Sequence, residues 1–97
     1  MKKEDWKTDE VYGAIKDSTI DALMRYVEQG IPTGDFLRGV LTNNLNEAMG
    51  RADLTNRATL WNIVTFCYNE IPSACWGSEE KVIAWLNKFR ENPVEDE

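Results

Sequence analysis

Two well-separated stretches place apolar side chains at i, i+3, i+4 and i+7: Ile20, Leu23, Met24 and Val27, then Val82, Trp85, Leu86 and Phe89. That spacing lines one face of a helix and would fall on both faces of a strand. Nowhere does the sequence alternate polar and apolar residues between turn signals, so no strand is expected. Helical stripes of this kind must be buried against one another. The fold class is therefore all-α, a small four- to five-helix bundle with no sheet.

The boundaries follow from local chemistry. Ser18 is read as the N-cap of the first main helix, with Asp21 three residues on, and Gly30 and Pro32 end it. Thr33 is read as the next cap. Phe36, Leu37, Val40, Leu41, Leu45, Ala48 and Met49 then run at helical spacing to Gly50, with Asn43 and Asn44 inside the pattern. Asparagine competes there for backbone hydrogen bonds, so this is one helix or two short ones meeting at a kink. The continuous helix is the preferred reading. Asp53 caps a third helix whose apolar residues, from Ala58 to Ile71, occupy more than one face, which predicts the central and most buried helix. Ser78 caps the last, with Glu79 and Glu80 in its first turn and Lys88 and Arg90 near its end.

At 97 residues the chain is one domain's worth. Residues 1–16 form an N-terminal arm or short helix, residues 17–91 the helical domain, and residues 92–97 an acidic tail beyond Asn92 and Pro93. The arm packs on the domain or on a neighbouring subunit. Four tryptophans are many for this length, and most of that aromatic mass is expected in the core. Met1 to Trp6 lacks the apolar run of a secretory signal, and no segment approaches the roughly 18–20 apolar residues of a membrane helix. Cys67 and Cys75 could be bridged only if the chain folds back at Pro72; a reduced, intracellular pair is the favoured reading.

The net charge of −6 excludes direct binding of a nucleic-acid duplex, which needs surplus cations against phosphate. It raises the alternative of an acidic DNA-mimic inhibitor. Residues 1–16 carry four charges of each sign, and residues 90–97 carry one positive and four negative. The body, residues 17–89, holds nine acidic and six basic side chains, only mildly acidic. Ordinary solubility charge plus a tail explains this better than mimicry. There is no histidine, hence no Ser-His or Cys-His pair and no ordinary zinc enzyme site. With no Gly-rich phosphate loop either, the chain is not expected to be an enzyme, and neither cofactor nor metal is called for.

Two clusters are candidate ligand- or partner-binding sites. The first holds Arg38, Asn43, Asn44, Asn46, Arg51, Asn56 and Arg57 within twenty residues. Guanidinium forks suit phosphate or carboxylate, and asparagine amides read base edges or ribose hydroxyls. A hairpin at Arg51-Ala52-Asp53 would bring Asn46 or Arg51 near Asn56 or Arg57. The plainer alternative is that Asp53 and Asn56 organise the turn while the arginines form surface ion pairs. The second cluster is Tyr68, Asn69 and Trp76, where the indole either plugs the end of the bundle or stands exposed as an anchor or stacking platform.

The stretch Gly30-Ile31-Pro32-Thr33-Gly34-Asp35-Phe36-Leu37-Arg38-Gly39-Val40-Leu41-Thr42-Asn43-Asn44-Leu45 resembles the core signature of small, mostly uncharacterised accessory proteins of tailed phages and prophages. The resemblance continues through Ala52-Asp53 and Asn56, Tyr68-Asn69-Glu70-Ile71-Pro72, Cys75-Trp76-Gly77-Ser78 and Trp85. It covers residues 20–86 and rests on the spacing of these parts. It lends no catalytic residue. It implies a phage accessory product acting in the cytoplasm of the bacterial host. The expected function is a non-enzymatic counter-defence or host-takeover inhibitor that sequesters a small anionic nucleotide signal or occludes a host defence protein. The alternative is a phage packaging or replication accessory module. A homo-oligomer is expected, because so aromatic a four-helix chain leaves an apolar face exposed.

Overall fold

The computed structural model describes residues 6–91, and every regular element among them is helical. In chain order these are α1 (Asp17–Gln29), α2 (Asp35–Leu41), α3 (Leu45–Arg51), α4 (Leu54–Ala58), α5 (Leu60–Glu70) and α6 (Glu79–Glu91). Short 3-10 turns at Tyr12–Ala14 and Ser73–Cys75 precede α1 and link α5 to α6. The all-α expectation holds. The count is six rather than four or five, because two of the expected helices are each broken in two. The acidic tail and the Asn92-Pro93 stop lie outside the described residues.

The first break separates α2 from α3 and corrects the continuous-helix reading. Asn43 takes up the left-handed conformation at φ 62°, which asparagine tolerates better than most residues. Asn44 then caps α3, its side chain accepting the Glu47 N–H at 3.1 Å. The chain turns at once, and α2 packs tightly on α3. Where they cross, a side chain on Gly39 would place its first carbon 2.6 Å from the Ala48 backbone nitrogen. Only glycine fits there.

The second break lies at Thr59, whose hydroxyl donates back to the Thr55 carbonyl at 2.8 Å as α4 ends. Asp53 caps α4 as expected, accepting from the Asn56 N–H at 2.7 Å. Ser78 likewise accepts from the Lys81 N–H at the start of α6. Two other expected caps are corrected. Helix α1 starts at Asp17 after an extended Lys16, so Ser18 sits within its first turn. Thr33 turns its hydroxyl to the Gly34 carbonyl, and Gly34 stands at the N-cap of α2 without a side-chain bond. Gly30 ends α1 as predicted. At φ 67° it donates to the Tyr26 carbonyl, the bond of an αL closure.

Helix α5 buries one stripe only: Ile63, Phe66 and Cys67. Its other apolar stripe faces outward, leaving Trp61 67% and Tyr68 79% exposed, with Val64 between them. The expectation of burial on several faces is thereby corrected. One side of α5 meets the core, and no described element covers the opposite side.

The N-terminal arm supplies part of that core. Trp6 and Tyr12 are buried and meet Phe66 edge-on, with ring centroids 4.7 and 5.1 Å away. Tyr12 also donates to Glu70 at 3.0 Å and accepts from Asn69 at 3.1 Å, while Asn62 donates to the Val11 carbonyl at 2.8 Å. Burial is the main cause that lifts the Tyr12 phenol above its ordinary range.

At the other end, three hydrogen bonds tie the α5–α6 linker and α6 to α1 and α2. The Tyr26 hydroxyl donates to the Cys75 carbonyl at 2.6 Å, Trp85 donates to the Tyr26 carbonyl at 3.1 Å, and Gly77 donates to that of Leu41 at 2.7 Å. Cys67 and Cys75 are free and buried. Burial pushes their thiols up to about 12 and about 11, so neither is a ready nucleophile. No helix among the described residues is long and apolar enough to cross a membrane.

Candidate functional site

Two concavities flank the short helices. The larger is an open cleft of about 470 Å³ between the start of α1, the start of α2 and the α3–α4 junction. Lys16 and Ser18 come from the approach to α1 and its first turn, Asp35 and Phe36 from α2, Arg51 from the end of α3 and Asn56 from α4. The hairpin inferred from Arg51-Ala52-Asp53 does bring Arg51 and Asn56 to one cleft. The extra residues arrive from positions up to 40 apart in sequence, which local reading does not reach.

The electrostatics of this cleft are mixed. Arg51 donates to Glu47 at 2.9 Å and stands 3.9 Å from Asp35. Lys16 pairs with Asp53. That ammonium group, then the Asn56 N–H, holds the Asp53 carboxyl below its ordinary range. Of the three arginines in the sequence-predicted cluster, Arg51 is thus matched by carboxylates. Every one of these pairs is solvent-exposed, however, and exposed pairs are worth only about 0–1 kcal/mol. An arriving phosphodiester can replace a carboxylate as partner to Arg51 or Lys16 at little cost. Asn56 is different. It is buried, and its side-chain carbonyl accepts from the buried Thr19 hydroxyl at 2.8 Å.

The second concavity is a narrower groove of about 170 Å³, lined by Gly39, Val40, Asn43, Asn44, Leu45, Ala48, Leu60, Val64 and Trp76. Trp76 is half-buried there, neither a full core plug nor a free-standing anchor. Beside the groove, exposed Leu45 and Met49 of α3 and Trp61, Val64 and Tyr68 of α5 extend an apolar surface.

The predicted residues therefore divide. Arg51 and Asn56 share the polar cleft; Asn43, Asn44 and Trp76 share the apolar groove. The Asn44 side chain already serves as a cap. Asn69 holds Tyr12, and Tyr68 belongs to the outer face of α5. Arg38 and Arg57 line neither concavity. Residues missed by local reading are Lys16, Ser18, Asp35 and Phe36 in the cleft, and Trp61 on the outer face. The 61, 64, 68 spacing was the available signal for the latter. Among the described residues no three His, Cys, Asp or Glu side chains are grouped to hold a metal ion.

Among the described residues, fold and site together define a small helical bundle with a polar cleft and an apolar face. No family model, no curated protein and no solved structure matches the chain.

Proposed function

We propose that this chain is a non-enzymatic, phage-type counter-defence protein that sequesters a small nucleotide signal in the cytoplasm of a bacterial host. The observation that carries this reading is the polar cleft. Its volume of about 470 Å³ lies within the range of small-molecule sites. Its rim offers two exchangeable cations and a hydroxyl for phosphate, and Asn56 offers a buried amide for a base. The surrounding carboxylates favour a ligand with separated single charges, such as a cyclic dinucleotide or an ADP-ribose derivative, over a dense triphosphate. The interleaving of cations with carboxylates is also unlike the charge pattern of a DNA mimic.

A panel of cyclic and ADP-ribose-type nucleotides tests this by thermal shift. At 100 times Kd a ligand adds about 2.7 kcal/mol, worth roughly 10–20 °C in a domain this small. Arg51→Glu should keep the fold and lose most of the shift. A panel with no shift at all rules the reading out.

The second reading, occlusion of a host protein, is favoured by the apolar surface around Trp61, Val64, Leu45 and Trp76. A second copy of this chain would cover the same face and join two clefts into one assembly. Light scattering of the chain and of Trp61→Glu separates the two. An oligomer that dissociates on substitution assigns the face to self-association; a monomer in both cases leaves it for a host protein.

A further inference from the structure

The geometry points to a guanine base as the part of the ligand seated in the polar cleft, with Asn56 and Asp35 as the residues that read it. This inference rests on the sequestration reading and narrows its ligand class.

Asn56 is only 8% exposed. Its side-chain oxygen is occupied by Thr19, itself buried, and its backbone N–H by Asp53. The side-chain amide is therefore oriented from α1 through Thr19, while the cap bond fixes the backbone that carries it. Its Nδ2 group has no hydrogen-bond partner among the described residues, and the residue lines the cleft. The donor is open to the cleft, since no buried side-chain nitrogen or oxygen is left unpartnered among the described residues, so an entering acceptor replaces water on it. The natural complement is a carbonyl oxygen or a ring nitrogen.

Asp35 lines the same cleft and can only accept. Its one described cationic neighbour, Arg51, stands at 3.9 Å, too far for a strong hydrogen bond. A carboxylate has two oxygens and is best satisfied by two parallel donors. Guanine is the common base that sets a carbonyl acceptor, O6, next to two donors, N1–H and the 2-amino group. Adenine offers one exocyclic donor beside a ring nitrogen, and hypoxanthine lacks the 2-amino group. In this arrangement O6 accepts from Asn56 Nδ2, N1–H and the 2-amino group donate to Asp35, and the phosphodiester lies toward Lys16 and Arg51.

Titration calorimetry of the full chain with cyclic di-GMP, its hypoxanthine counterpart and cyclic di-AMP provides the test. The guanine compound should bind at least roughly tenfold tighter than either of the others, as expected for one bidentate base contact. Asp35 is exposed, so Asp35→Asn should remain folded while its affinity for cyclic di-GMP falls to that for cyclic di-AMP. Asn56→Asp should abolish the preference; if that variant fails to fold, Asp35→Asn still decides. Thr19→Val controls for structure, since it breaks the same buried hydrogen bond but leaves Nδ2 in place. It should lower the melting temperature yet keep the guanine preference. Equal affinity for all three compounds overturns the base assignment and leaves sequestration standing. Binding of none of the three overturns the base assignment, and sequestration falls with it only if the ADP-ribose-type nucleotides also fail to bind.

Discussion

Replacing Phe66 by alanine should cost about 3–5 kcal/mol, the usual range for a fully buried phenylalanine. Phe66 is wholly buried, and its ring is held edge-on by both Trp6 and Tyr12. Such edge-to-face pairs add about 0.5–1.5 kcal/mol each beyond burial, which places this site near the top of the range. The resulting cavity would be shared between α5 and the arm, so neither wall could collapse into it alone. Domains of this kind are stable by about 5–15 kcal/mol in total, so a third or more of the stability is at stake. Urea denaturation measures it directly. A loss below about 1.5 kcal/mol would mean that the arm does not dock on α5 as described. Phe66 lines neither concavity, so any ligand response should persist in the folded fraction.

The second large effect is a reversal of sign between two glycines. In an exposed helix, glycine to alanine is worth up to about 1 kcal/mol in favour of alanine. Gly50→Ala in α3 should gain part of that, because an added carbon there meets nothing within 4 Å. Gly39→Ala should instead lose about 1–3 kcal/mol, the usual cost of overpacking. Its new carbon would stand 2.6 Å from the Ala48 nitrogen and 2.9 Å from its Cα. Those are backbone atoms and cannot rotate away. The two helices are joined by only Thr42, Asn43 and Asn44, which limits how far they can separate. Thermal melts of the pair suffice. Stabilisation by Gly39→Ala would show that the α2–α3 crossing is looser than this.

What the sequence makes legible follows from the range of the interaction that decides each feature. The α1 and α6 stripes, the Gly30 stop and the caps at Asp53 and Ser78 depend on residues within one or two turns, and all were readable. The Asn43 break was not. Asparagine within a helix costs only a few tenths of a kcal/mol relative to its neighbours, and the deciding contact is Gly39 against Ala48, nine residues on. The double apolar character of α5 was readable as pattern, but which stripe faces inward depends on the arm, some fifty residues earlier. The cleft was half legible. A hairpin argument joins Arg51 to Asn56, whereas Lys16 and Asp35, the latter facing Arg51, arrive through the tertiary fold.

The docking of the arm also has a consequence in time. Tyr12 and Glu70 are 58 positions apart, and Val11 and Asn62 are 51 apart. On the ribosome, at roughly 5–20 residues per second, the segment carrying Trp6 and Tyr12 leaves the exit tunnel seconds before α5 exists to receive it. Contacts this distant are also those that slow folding most. The arm is thus made well before the surface that receives it, and its two large rings wait in water until α5 has emerged.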